Sequence, residues 1–354
     1  MQSFRLEKIG DPLAEHDVTP PVPGPGSVAV RVEAAGICHS DAHYRSGESP
    51  TGELPLTLGH EVSGVIAAVG DGVPSSRVGE RACLHYLVTC GRCYYCRRGL
   101  EQFCEQGQMI GKHRDGGFAE QIVVPERNAL RLPELVPFEH GAVLMCSAAT
   151  ALHALRKARF AAGERVAVFG VGGLGMSAVQ LAIALGALDV YAVDRDPTKL
   201  RTAESFGAIP VLASAEDPVQ TVRSHTDGHG VDVALELVGH PDTVRAALLS
   251  LGPTGRAAVA GIGDLPVSIH TYREIIGTEA EIIGVSDHTR AELELLLDLV
   301  ARGRLELADV VTEQIPFEIA ALNERLDQLD AYAAPVRTVM TRASRDSRSD
   351  NRPR

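Results

Sequence analysis

From Arg165 onward the chain alternates strand-length apolar runs with helix-length segments: residues 166–169, 174–185, 190–193 and 197–205 follow one another in that order. This is βαβ text. It predicts a parallel sheet, because parallel neighbours need a long crossover, usually a helix, to bring the chain back. The alternation continues with a strand over 231–235, a helix over 243–251 just after Pro241, and a strand over 257–260. The expected α/β unit is therefore a doubly wound parallel sheet. Upstream, from Met1 to about Arg131, the text is different. Short alternating runs such as Val28-Ala29-Val30-Arg31-Val32 and Val62-Ser63-Gly64-Val65-Ile66 stand among many Gly and Pro, and predict the short strands of an irregular β domain.

After Ile282-Ile283-Gly284 comes a helix-like stretch over 291–301, then further strand and loop text that returns to the first domain. These changes of rhythm divide the chain into 1–147, the N-terminal part of the β-rich domain, 148–284, the doubly wound domain, and 285–341, the returning segment. Residues 342–354 are charged, lack apolar periodicity and read as a loose tail. No internal repeat is visible.

Composition narrows the class of function. With 354 residues, 45% apolar and 23% charged, the chain can build more than one core and is not disordered by composition. A net charge of -12 disfavours nucleic acid and anionic membranes, which would meet repulsion over most of the surface, so the expected partner is a small molecule. The apolar run over 141–155 is broken by Ser147, Thr150 and His153, and no stretch reaches the roughly 20 residues a membrane span needs. Met1 to Asp11 carry no secretory pattern, so a cytoplasmic location is expected. In a reducing compartment, seven cysteines more often hold metal than form disulfides.

Four of them, Cys90, Cys93, Cys96 and Cys104, fall on one short segment. Tight spacings of this kind let backbone turns aim several sulfurs at one point. A closed shell of four thiolates suits a tetrahedral structural zinc, the alternative being a reactive or disulfide-forming cluster. Farther on, Gly170-Val171-Gly172-Gly173-Leu174-Gly175 follows a predicted strand and opens a predicted helix, the context that makes G-x-G-x-x-G a Rossmann dinucleotide turn. Gly170 permits the tight turn, Gly172 lets backbone approach the pyrophosphate, and Gly175 permits close helix packing. Asp194 ends the next strand, where a carboxylate accepts from ribose hydroxyls and repels a 2'-phosphate, favouring NAD over NADP. Arg195 beside it could instead receive phosphate.

Gly36-Ile37-Cys38-His39-Ser40-Asp41, Gly59-His60-Glu61-Val62-Ser63-Gly64 and the four-cysteine segment stand in an order that resembles the zinc-containing medium-chain alcohol dehydrogenases. The resemblance runs from about Val28 to Thr341. It implies a GroES-like catalytic domain joined to the Rossmann domain, and two zinc ions per subunit, one catalytic and one structural. It assigns Cys38, His60 and Cys146 to the catalytic ion, with a fourth position open to water or substrate. Glu61 lies beside that ion, and Asp41 orients His60. Ser40 and His43 match a hydroxyl and an imidazole that carry the alcohol proton outward. His39 and Arg337 match residues near the cofactor pyrophosphate, and Lys199 one that contacts the adenosine ribose. Tyr86 falls where relatives narrow the substrate pocket. The family forms dimers and tetramers, and a homotetramer or homodimer is expected here.

The resemblance thus implies hydride transfer between a primary or secondary alcohol, or its aldehyde or ketone, and NAD. Within the same superfamily a polyol or sugar dehydrogenase is the alternative; its third metal ligand is commonly Glu, and Cys146 argues against it. A nucleotide-binding scaffold without chemistry shares the fold. It has no need for a complete set of Cys38, His60, Cys146, Ser40 and His43.

Overall fold

The computed structural model describes residues 1–305, 310–331 and 334–342. The expected tail lies almost wholly outside them.

The doubly wound sheet has six parallel strands in the order Ile209–Leu212, Asp189–Asp194, Arg165–Phe169, Val231–Glu236, Leu251–Val259 and Glu281–Gly284. Alternation along a single strand shows how both faces are covered. Val166 and Val168 join one apolar cluster, whereas Ala167 and Phe169 join another on the opposite side. Chain order reverses between Arg165–Phe169 and Val231–Glu236, and the carboxyl ends of strands at such a switch point border the crevice where ligands bind.

Two boundaries differ from expectation. The helix expected over 243–251 runs Pro241–Leu249, because Pro241 suits the first helical turn and the His240 ring caps it by accepting from Asp242 N. Leu251 then opens a strand, Leu251–Val259, that is longer than the expected 257–260.

The β-rich domain is built on a sheet in which Ala129–Arg131, Arg81–Leu84, Glu61–Val69, Ser27–Ile37, Thr338–Thr341 and Glu313–Pro316 lie side by side, with Gln121–Pro125 also paired to Ser27–Ile37. Thr338–Thr341 lies antiparallel to Ser27–Ile37, so the chain does return to its first domain. That return includes a helix, Ile319–Asp330, where only strand and loop text was expected. Its apolar positions Ile319, Leu322, Leu326 and Leu329 have helical spacing and pack on the core of the β-rich domain. Its polar side holds the helix His39–Ser46 through ion pairs of Arg45 with Asp327 and Asp330.

Between the two sheets runs a continuous helical stretch. Phe138–Val143 and Ala149–Lys157 are α-helical, and Leu144–Ala148 between them is a π turn. Such single turns often mark functional sites.

Candidate active site and metal centres

Asp41 organises the first donor group. It is fully buried in the opening turn of the helix His39–Ser46, and Cys38 is the residue that caps that helix. Asp41 Oδ2 accepts from Cys38 N at 2.9 Å, while Oδ1 accepts from Gly59 N at 3.3 Å and lies 3.2 Å from His60 Nδ1. A carboxylate on Nδ1 holds the proton there and leaves Nε2 as the donor atom. His60 follows Gly59, whose φ of +91° is costly for any other residue, and a Cβ there would strike the Phe118 ring. Cys146 comes from far downstream, in the π turn.

The metal-donor atoms of Cys38, His60, Cys146 and Glu61 lie within 4.8 Å of one another. They belong to three separate parts of the chain. These groups hold their protons unequally. The hydrogen bond with Cys146, outweighing burial, holds the Cys38 thiol well below its usual range, and the same bond pushes Cys146 up. Burial works against a charged His60, yet the charge and hydrogen bond of Asp41 bring its pKa up to about 10. Two sulfurs and one imidazole, with Cys38 and His60 buried and Cys146 partly exposed, fit a zinc ion with one position left for a small oxygen ligand.

Glu61 is fully buried, and its carboxylate oxygens have no conventional hydrogen bond among the described residues. It forms an ion pair with the Arg337 guanidinium. Gly36 makes room for it, since a Cβ there would collide with the Glu61 carboxylate. Arg337 also lies against Gly173, so one buried cation touches both the donor group and the glycine-rich turn.

Ser40 Oγ lies 3.7 Å from Cys38 Sγ. His43 Nε2 faces Glu48 at 3.4 Å, and its Nδ1 has no partner among the described residues. The His39 ring sits 4.6 Å from that of His43, and burial followed by the His43 charge lowers its pKa. Ser40, Asp41 and His43 lie on a helix that sequence reasoning did not foresee.

The glycine-rich turn joins the strand Arg165–Phe169 to the helix Gly173–Ala184. Gly170 has φ +89°, and a Cβ on Gly175 would run into the Gly170 carbonyl. A Cβ on Gly172 would meet nothing within 4 Å, and no side chain caps the helix there. Open space in front of free N–H groups is what a pyrophosphate requires. Asp194 stands beside the turn, accepting from Val171 N at 2.9 Å and Asp196 N at 3.0 Å. Leu174 is half-buried in the first helical turn. Arg195 is exposed and Lys199 is half-buried on the helix Pro197–Ser205.

The second cysteine group closes on itself. Sulfurs of Cys90, Cys93, Cys96 and Cys104 lie within 4.8 Å of one another. Short 3-10 turns, Cys96–Arg98 and Glu101–Phe103, separate them, and backbone N–H groups of Cys90 and Cys93 point to the Cys104 and Cys90 sulfurs at 3.3 Å. Backbone donation from Cys96 and Glu105 brings the Cys93 thiol down to about 6. Four sulfurs with no open position fit a structural zinc.

Two family models match the chain. Residues 24–134 match the alcohol dehydrogenase GroES-like domain, and residues 173–302 match the zinc-binding dehydrogenase domain. The chain is 32% identical over 350 residues to an NAD-dependent alcohol dehydrogenase of Sulfurisphaera tokodaii, covering 96% of this chain and 99% of that one. It belongs to the zinc-dependent medium-chain dehydrogenase/reductase family. Solved relatives include the alcohol dehydrogenase of Aeropyrum pernix, with TM-score 0.87, 35% identity and coverage of 96% and 100%. A zinc-binding dehydrogenase of Sinorhizobium meliloti 1021 bound to NADP gives TM-score 0.88, 33% identity and coverage of 96% and 98%.

Some residues around the family's metal position were not legible beforehand. Asp287 and His288 reach Tyr86 from the segment after Glu281–Gly284, and Thr150 reaches His288 from the helix that follows the π turn. His85, adjacent to Tyr86, gives no pattern of its own. Only the fold brings these groups together.

Proposed function

We propose that the chain is an NAD-dependent zinc alcohol dehydrogenase, interconverting a primary or secondary alcohol with its aldehyde or ketone. The observation that carries this reading is the convergence of Cys38, His60 and Cys146 donor atoms, with Glu61, within 4.8 Å. In it, Cys38, His60 and Cys146 hold the catalytic zinc, and Cys90, Cys93, Cys96 and Cys104 hold the structural one. Bound zinc supplies a Lewis-acid position that makes a neighbouring alcohol more acidic. Asp41 keeps the His60 tautomer, and Arg337 balances Glu61. Ser40 and His43 carry the alcohol proton outward, and Glu48, whose side chain is 70% exposed, is the exit to solvent.

The turn 170–175 receives the pyrophosphate, with His39 and Arg337 nearby. Asp194 selects NAD by accepting from the ribose hydroxyls, and Lys199 and Arg195 flank the adenosine end. The separation of the strands into two sheets supports dividing the chain at 147, 284 and 341. No helix among the described residues is long and apolar enough to cross a membrane. Glu281–Gly284 is the last strand of its sheet, with Ile282 and, nearby, Tyr272 and Ile276 exposed. An unpaired apolar edge of this kind supports assembly into a homodimer or homotetramer.

The test is an NADH absorbance screen over alcohols, aldehydes and polyols, run before and after chelation, with zinc content measured on the same samples. Turnover of simple alcohols with NAD and its loss with the metal are expected. A protein that holds two zinc ions per chain and reduces NAD with no alcohol would refute the reading.

A further inference from the structure

Beside the donor group lie buried polar side chains that the reaction outlined above leaves unused. Tyr86 is 3% exposed, and its ring stands edge-on to two imidazoles, with centroids 5.4 Å from His60 and 4.8 Å from His288. Its hydroxyl donates to Asp287 Oδ1 at 2.9 Å and lies 3.4 Å from His288 Nδ1. Thr150 Oγ1, one helical turn after Cys146, lies 3.5 Å from the same nitrogen. The His85 ring completes the group, 5.2 Å from that of His288. His85 and His288 are 2% and 0% exposed, and Nε2 of each has no hydrogen-bond partner among the described residues.

Orphaned polar atoms this deep are uncommon, since each has given up water without a replacement. Their chemistry defines what would satisfy them. Burial pushes His85 down to about 3, helped by the charges of Arg290 and Arg127, and takes His288 well below its usual value, helped by His85, His153 and His60. Each ring is therefore neutral, with one N–H and one lone pair. A hydroxyl or carbonyl oxygen complements such a pair. An alkyl chain leaves both nitrogens unpaired.

We propose that Tyr86, Asp287, His85 and His288 form a polar wall of the substrate site, selecting alcohols that bear a second oxygen function, such as diols and hydroxyketones, over simple alkyl alcohols. The inference rests on the oxidoreductase reading above, because Tyr86 joins the wall to the donor group through His60. The reaction is unchanged: the carbinol carbon loses hydride to NAD, the hydroxyl loses its proton, and the second oxygen is only bound.

Matched substrates test it: propanol against propylene glycol for oxidation, and butanone against acetoin for reduction. The wild type is expected to favour the oxygenated member in kcat/KM by about tenfold or more, mainly through KM. His288→Leu and His85→Leu are each expected to cut that preference about tenfold. His288→Asn, which keeps a donor and an acceptor, restores most of it, and Tyr86→Phe, which keeps the ring, causes a smaller loss. Circular dichroism and zinc content identify the folded variants. An unchanged preference in folded His288→Leu or Tyr86→Phe, or a wild-type preference for the alkyl member, overturns the wall. If no alcohol is oxidised, the oxidoreductase reading fails instead, and the wall is judged by melting of the NADH-saturated protein. Propylene glycol is then expected to raise Tm more than propanol does, in wild type but not in His288→Leu; equal shifts in the wild type overturn the wall.

Discussion

The two sulfur-rich groups of this chain are built in opposite ways. Cys90, Cys93, Cys96 and Cys104 are partly exposed and come from a single loop, held by backbone N–H groups and short 3-10 turns. Cys38, His60 and Cys146 come from a helix cap, a strand entrance and a π turn, and meet because that turn packs against the core of the β-rich domain. The first group has four sulfurs and no free position. The second has three donors, a buried acid on each side and the glycine-rich turn nearby, linked by Arg337. A local loop can hold a metal without the rest of the fold; a dispersed site makes the metal depend on the fold and can leave a face open to substrate.

The largest expected difference between them is in chemistry. Cys146→Ala removes one donor of three and should lower kcat by at least about a thousandfold, since Lewis-acid stabilisation is worth several kcal/mol. Its melting temperature should stay close to wild type. Cys93→Ala should do the reverse, lowering melting temperature and zinc content from two ions per chain to one, with residual activity in what remains folded. Calorimetry and steady-state kinetics on both variants check this, and equal unfolding in both would erase the contrast.

A smaller effect probes how each group is supported. Asp41 is the buried carboxylate of the dispersed site, bonded to both Cys38 N and His60 Nδ1. Asp41→Asn should weaken zinc binding at the dispersed donor group by roughly 10–100-fold, because outer carboxylates commonly carry that much metal affinity. The four-sulfur loop has no such acid and should keep its zinc in the same variant. Competition with a chromophoric chelator separates the two affinities.

Acid should expose a further difference. His85 and His288 are held neutral in the folded protein, whereas in the unfolded chain they take up protons near the ordinary value of about 6.5. The unfolded state therefore binds more protons as pH falls. Stability is complete above pH 6.5 and declines as pH falls from there, by about 1.4 kcal/mol per pH unit for each histidine, the His85 contribution ending near about 3. Urea unfolding between pH 7 and pH 5 measures the slope. His85→Leu should flatten it.

The same contrast explains what was legible in the sequence. The four-sulfur loop and the turn 170–175 are local, and their spacing alone declares them. Most of the alternating strands and helices of the cofactor domain were equally plain, but the starts of Pro241–Leu249 and Leu251–Val259 were misplaced and the strand Ile209–Leu212 and helix Pro218–His225 went unread. Cys38, His60 and Cys146 are separated by long stretches of chain, so no spacing rule reports them, and resemblance supplied what periodicity could not. The helix Ile319–Asp330 had a readable apolar spacing that went unread. His288 had none, because its meeting with Tyr86 is made by tertiary packing across a separation of 202 residues.

The smallest expected effect lies where the two regions touch. Glu101, within the four-sulfur loop, pairs with Arg127 at 3.3 Å and accepts from the backbone N–H of Arg290, at the start of the helix Arg290–Ala301. Arg290 also donates to the Arg127 carbonyl, so this one acid ties the loop to the segment carrying Asp287 and His288. Glu101→Gln keeps the shape but removes the charge. Because Arg127 is 38% exposed, solvent already screens the pair, and the loss should be about 0.5–1 kcal/mol. If the loop is independent, as its local construction implies, chelator should strip its zinc at the wild-type rate in this variant. A several-fold faster release, with the buried ion unaffected, would show instead that the loop borrows rigidity from the cofactor domain through Glu101.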